Sequence, residues 1–325
     1  MRYVVYGAGA IGGIIAACLH RSGREVSLVA RGETREHIRA DGLRLVTELE
    51  ATTHRIPTVD HPRELGITED DVVILAMKTQ DTLAALQDLA YAAPAQTRVI
   101  CAQNGVENER LAQRFFANVY GMFVYVFGAS LQPGEVRCYT APSAGVLDLG
   151  RFTGEVDGVA ERVAGDLRTA GFDAQARPDI RAWKYGKLIA NLGNALTASY
   201  GDSAAVPDLL EAAQDEGRAC LRAANIPFAS LEDMLARRKH LLPLRRVNGV
   251  AFPGSSSWQS LARGATSTEV DYLSGEIVLL GRLLGVKTPL NAALQEQVRR
   301  MATDRTQPGS LNPNELRQRF GLPVR

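Results

Sequence analysis

The chain has 325 residues, enough for two domains, with 46% hydrophobic and 22% charged residues, the balance of an ordinary globular protein. Thirty-seven Lys+Arg against 36 Asp+Glu leave a formal net charge of +1, which gives no electrostatic case for nucleic acid or an anionic membrane as partner. The four cysteines, Cys18, Cys101, Cys138 and Cys220, stand far apart without metal-ligand spacing, which predicts buried thiols, no metal site and a reducing compartment.

The first element is the β-branched and aromatic run "RYVVYG", which reads as a buried strand. "IGGIIAACLHRSG" follows with helical spacing and Gly23 as its C-terminal stop. Arg2 and the apolar run to Leu19 loosely imitate a secretory signal. The second strand-like run, "EVSLVA", continues without a cleavage site, and no stretch reaches the ~18 apolar residues of a membrane span. A cytoplasmic protein is the expectation.

Between strand and helix lies "GAGAIG". Gly7 permits the tight turn, Gly9 lets a pyrophosphate reach the backbone, and Gly12 lets the helix lie against the sheet. The free N–H groups and dipole of the first helical turn favour phosphate. Gly7, Gly9, Ala10, Ile11 and Gly12 are therefore read as a dinucleotide-binding turn of Rossmann type. Where an NAD-binding strand ends on an acid for the ribose 2′-hydroxyl, this chain carries Ala30 and then Arg31, whose guanidinium suits a 2′-phosphate. The predicted cofactor is NADP(H).

"DDVVILAMKTQD" and "TRVICAQNGVEN" read as buried strands ending in polar residues, with the helix "DTLAALQDLAYAA" between them. Ligands of parallel sheets bind outside the carboxyl ends of the strands, which places Lys78 and Asn104 on the cofactor edge. "VYGMFVYVFGASL", "GEVRCYTA" and "AGVLDLGRF" predict further strands, with a departure from parallel expected only among the last strands of the sheet, and "VAGDLRTAGFDAQAR" a helix and short strand closing the domain near Arg177. The fold class is α/β, a doubly wound sheet over 1–177 followed by a mainly helical substrate domain over 178–325.

In the second half, "DIRAWKYGKLIANLGNALTASYG" predicts one helix from Asp179 to Gly201. At ~100° per residue, Lys187, Asn191 and Asn194 share a polar stripe. Lys184 lies one turn earlier and is read as a solvated surface lysine, whose replacement should be mild. "GSSSWQS" reads as a loop. In "TSTEVDYLSGEIVLLG", Thr266 or Ser267 is the expected cap, and Glu269 and Asp271 fall in the first turn, where the helix dipole alone would favour them. "QPGSLNPNELRQRFGLPVR" reads as a loosely held tail.

"GAGAIG", "MKTQD", "QNGVEN", "KLIANLGNALTA" and "SSSWQ…TEVDYLSGEI…LLGVKTPLN", in this order and spacing, resemble the ketopantoate reductase family from Met1 to about Ala293. The resemblance implies an NADPH-dependent reductase converting a small 2-keto acid into a 2-hydroxy acid. By the same resemblance Lys187 matches the general acid, and Asn191, Asn194 and Ser257 match substrate contacts. Glu269 matches a catalytic acid close to the lysine and the substrate hydroxyl and also a cofactor contact, while Lys78 and Asn104 match residues facing nicotinamide and substrate. Departures at Asn194, Ser260 and Ser274 leave the keto acid open. An NADP-linked dehydrogenase of the 6-phosphogluconate or hydroxyisobutyrate type and a non-catalytic NADP(H) sensor remain alternatives, and a homodimer stays open.

Overall fold

The computed structural model describes residues 1–323, which fall into two compact units: 1–184 with 232–252, and 185–231 with 253–323. The first unit holds eleven strands: β1 (Tyr3–Tyr6), β2 (Val26–Val29), β3 (Leu43–Val46), β4 (Ala51–His54), β5 (Thr58–Val59), β6 (Val72–Leu75), β7 (Arg98–Cys101), β8 (Asn118–Tyr125), β9 (Gly128–Gln132), β10 (Glu135–Cys138) and β11 (Val146–Arg151). Its helices are α1 (Ala10–Arg21), α2 (Gly32–Asp41), α3 (Thr82–Ala92), α4 (Glu107–Ala112) and α5 (Gly158–Thr169). Seven strands form one sheet in the order β11-β8-β7-β6-β1-β2-β5, parallel except for β11, which runs antiparallel to β8. Apolar cores cover both faces, with α1 and α5 packed on one and α3 on the other. The doubly wound sheet with a non-parallel last strand thus agrees with the sequence reading.

A second sheet, β4-β3-β10-β9, was not legible in the sequence. It lies against the outer side of α1. This explains the apolar run that imitates a secretory signal: Ile14 to Leu19 are all buried because the helix has a sheet on each side. The approach is close. A Cβ on Gly13 would stand 2.6 Å from Val136 Cγ1, and one on Gly128 would stand 2.5 Å from Ile14 Cδ1.

The sequence predicts a domain boundary at 177/178. The first compact unit instead runs to Lys184 and takes in 232–252, a segment whose flanks both belong to the second unit. Charge and aromatic packing hold this strap down. Its helix contains Arg237, which donates to Asp148 (2.7 and 2.9 Å) and to Asp173 (2.8 Å, with a second, shorter contact). Asp148 is fully buried and also accepts from Arg177 at 2.6 Å. The Arg237 guanidinium holds the Asp173 carboxyl below its usual range. Further along, Arg245 N–H donates to Tyr139 O (2.8 Å), Val247 is buried beside Tyr139, and Phe252 meets Phe127 and Tyr139 edge-on. Hydrogen bonds to charged groups contribute about 1.5–3 kcal/mol each. Arg237→Ala is therefore expected to lower stability by at least that much in urea and to expose 232–252 to limited proteolysis before the rest of the chain. Cleavage no faster than in wild type would show that the aromatic contacts alone suffice.

The second unit is helical: the end of α6 (Ile180–Asn191), then α7 (Gly193–Tyr200), α8 (Pro207–Ala223), α10 (Ser256–Ala262), α11 (Ser274–Leu284), α12 (Pro289–Thr303) and α13 (Pro313–Arg319), with α9 (Leu231–Arg238) forming the start of the strap. Helix α7 packs on α10 and α12, and α11 on α8 and α12. The single helix expected over 179–201 is two. At the break, Leu192 N–H reaches back only three residues, to Ile189 O (3.3 Å), and Gly193 fits a space that Leu210 and Ser203 would close to a larger residue. The expected loose tail is also corrected. Helix α13 docks through Leu316 and through Arg317, 3% exposed and bonded twice to Asp208 (2.8 and 2.9 Å). All four cysteines are free and buried, and burial pushes the Cys18 thiol up to about 12. No helix among the described residues is long and apolar enough to cross a membrane.

Candidate active site

The glycine turn is as tight at Gly7 and Gly12 as its sequence predicts. Gly7 has φ +108°, and a Cβ there would lie 2.7 Å from Met77 N, so both conformation and space demand glycine. A Cβ on Gly12 would fall 1.9 Å from Gly7 O. Gly9 differs: nothing lies within 4 Å of its absent Cβ, and it caps α1 with no side chain bonded to the helix N-terminus. The turn is thus packed tightly on the protein side and left open on the other, beside free N–H groups with a favourable dipole. That arrangement fits a dinucleotide pyrophosphate.

Arg31 follows β2 and caps α2 through extended backbone. Its guanidinium is 60% exposed, donating to Asp88 (3.0 Å) and Tyr6 Oη (3.3 Å). Lys78 follows β6 and Asn104 follows β7, so both stand beyond the carboxyl ends of adjacent parallel strands. A buried network that sequence reasoning missed ties these two loops together. Thr82 donates to Asn108 Oδ1 (2.8 Å), and Gln103 Nε2 donates to Thr82 (2.7 Å). Asn108 Nδ2 donates to Thr79 Oγ1 (3.2 Å) and to Asn104 O (3.0 Å). Thr82 and Asn108 are fully buried. Polar residues at core-facing positions of α3 and α4 were the available signal.

The largest correction concerns Lys184. It is not a surface lysine: it is 3% exposed and forms an ion pair with Glu109, which is fully buried, while its Nζ also donates to Gln103 O at 2.9 Å. Burial pushes the Glu109 carboxyl up, and Lys184 opposes that rise. Gly121 on β8 leaves the room: a Cβ there would come 3.2 Å from Lys184 Cδ and 3.3 Å from Glu109 Oε1.

In the second unit Lys187 is half-buried, one turn before Asn191 at the end of α6. Asn191 Nδ2 is buried without a hydrogen-bond partner. Asn194 is half-buried on α7, beyond the break, so the straight polar stripe is interrupted. "GSSSWQS" is not a loop. Ser255 caps α10 by accepting from Trp258 N–H (3.3 Å), and Ser257 lies buried on that helix, which packs on α7. Glu269 is 6% exposed in a short 3-10 turn, and Thr268, not Thr266 or Ser267, caps it by accepting from Val270 N–H. Ser256 and Ser274 also bury hydroxyls that lack partners. Among the described residues no group of three His, Cys, Asp or Glu side chains could hold a metal.

The family model described as ketopantoate reductase PanE/ApbA matches residues 3–154, and that described as ketopantoate reductase PanE/ApbA C terminal matches 179–302. The chain belongs to the ketopantoate reductase family. It is an oxidoreductase acting on a CH–OH group. It is 32% identical to the 2-dehydropantoate 2-reductase of Mesorhizobium japonicum, over 94% of this chain and 99% of that one. It is 30% identical to that of Archaeoglobus fulgidus, over 92% and 97%. Among solved structures, a PanE/ApbA family ketopantoate reductase from Ralstonia eutropha superposes with a TM-score of 0.78 at 28% identity, covering 94% of this chain and 99% of that one. D-mandelate dehydrogenase with NADH and anilino(oxo)acetate gives 0.80 at 24% identity with the same coverage, a likeness of fold.

Proposed function

We propose that this ketopantoate reductase family member reduces a small 2-keto acid, ketopantoate or a close relative, to the 2-hydroxy acid with NADPH, and that Lys187 is the general acid. The observation that carries the reading is the partnerless buried Nδ2 of Asn191, one turn after Lys187. A buried amide donor without an acceptor costs about 1–3 kcal/mol, and a substrate oxygen supplies that acceptor. The relatives named 2-dehydropantoate 2-reductase support the substrate class.

The nicotinamide, when bound, supplies the hydride. The chain's residues do the rest. Reduction of a ketone builds charge on its oxygen, and the Lys187 ammonium stabilises that charge and delivers a proton to the oxygen. Asn191 and Asn194 hold the substrate through neutral amides, and the Ser257 hydroxyl donates to its carboxylate. Glu269 orients the ammonium. Lys78 and Asn104 stand on the nicotinamide edge of the sheet, and Gly7, Gly9, Ala10, Ile11 and Gly12 hold the pyrophosphate. The test is NADPH consumption with a panel of branched and aromatic 2-keto acids. Turnover of none of them would sink the proposal.

Two further results are expected. Gly9→Ala adds a methyl group to open space, so it should fold with an unchanged melting temperature yet bind dinucleotide at least tenfold more weakly, because the methyl fills the pyrophosphate's approach. Retained affinity would move the cofactor off this turn. Arg31→Ala should raise the KM for NADPH and leave that for NADH nearly unchanged, since lost charge-assisted hydrogen bonds cost about 1.5–3 kcal/mol. Equal loss for both cofactors would remove Arg31 from the 2′-phosphate.

A further inference from the structure

The buried ion pair lies outside every role assigned above, and its placement is specific. Lys184 ends the 1–184 segment of the first unit and is the fifth residue of α6. The same helix continues to Lys187 three residues on. Through Nζ, Lys184 grips the carbonyl of Gln103, the residue immediately before Asn104, and pairs with Glu109 on α4. Gln103 is itself fixed by its side chain to Thr82, and Asn108, next to Glu109, bonds Asn104 O. An apolar side chain would fill this space without the desolvation that a charge suffers. A lysine adds a directed bond to one backbone oxygen.

We infer that Lys184 and Glu109 are positioning residues for the reduction: the pair fastens the first turns of α6, three residues before Lys187 on the same helix, to the loop that ends β7. The inference rests on the general-acid reading of Lys187. Catalytic groups must be held to within a fraction of an ångström, and misplacement by 1 Å can cost about 10²-fold in rate. The pair acts through the backbone of α6, so its removal loosens that helix just before Lys187 while leaving the Lys187 side chain and the cofactor turn intact.

The experiment compares steady-state kinetics of wild type, Lys187→Ala, Lys184→Met/Glu109→Leu and Gly121→Ala on the 2-keto acid turned over best. The double variant replaces both charges by apolar groups of similar size, which preserves folding where a single replacement strands a buried charge. It is expected to lose about 10²-fold in kcat, with the KM for NADPH within twofold and the melting temperature within a few degrees of wild type. Gly121→Ala pushes on the pair with one methyl group and keeps both charges. It should lose kcat in the same direction by a smaller factor, and it decides the matter if the double variant fails to fold. Full kcat in the folded double variant, or in Gly121→Ala should the double variant not fold, overturns the inference. An unimpaired Lys187→Ala overturns the general-acid reading instead, so the two failures are distinguishable.

Discussion

Lys187→Ala is expected to lose about 10²–10⁴-fold in turnover, the range for removal of a general acid, while still binding NADPH. The retained affinity follows from the architecture. The glycine turn, Arg31 and the sheet edge with Lys78 and Asn104 all belong to the first unit, whereas Lys187 belongs to the second. Steady-state turnover beside a cofactor titration separates the two effects. A loss of turnover accompanied by equal loss of NADPH affinity would point to a collapsed helix in place of a missing acid. Unchanged turnover would place the proton donor elsewhere.

Lys184→Ala should be the variant that fails to stay folded. Removing one partner of a buried pair typically costs about 3–5 kcal/mol, because the other charge is left without compensation, and Glu109 has no solvent exposure. That is a large share of the ~5–15 kcal/mol that holds a domain together. The pH dependence has a definite sign. Burial already pushes the Glu109 carboxyl up, with Lys184 opposing. Without the lysine, its folded-state pKa rises further above the unfolded value of about 4.3. The folded variant then holds the proton longer than the unfolded chain, so its stability is greatest below the unfolded pKa and falls as pH rises through the folded one. Urea melts between pH 5 and 8 should show the deficit against wild type widening with pH. A deficit independent of pH would mean that Glu109 stays ionised in the variant and that lost packing explains the cost.

The neighbouring lysines show where sequence reasoning stops. Three residues apart on one helix, they look alike in composition, and helical periodicity gives a direction for each without saying what waits there. Lys184 meets Gln103, 81 residues away, and Glu109 behind it. Its burial was therefore decided by which loop the sheet brings beneath α6. The second sheet was invisible for the same reason. Arg44 on β3 pairs with Glu135 on β10 across 91 residues, and the short runs at 43–46 and 51–54 are too weakly patterned to announce strands by themselves. The strap over 232–252 reads locally as another helix of the helical half, and only Asp148 and Asp173, gathered at one place by β11 and its neighbour, draw Arg237 to the first unit.

The sequence by itself determined whatever depends on a few adjacent residues. It set the alternation of buried strands and helices, and the need for glycine at Gly7 and Gly12 with open space at Gly9. It also set the polar residues at the carboxyl ends of β6 and β7, and the family through motifs in a fixed order. Backbone sterics, side-chain periodicity and helix-end electrostatics act over a turn or two of chain, so they can be read in one dimension. Tertiary structure alone decided the second sheet around α1, the break at Leu192, the docking of α13 through Arg317, and the burial of Lys184. Each depends on groups far apart in the chain competing for the same space, and the free energy of burying a charge or closing a void is fixed only when both partners are in place.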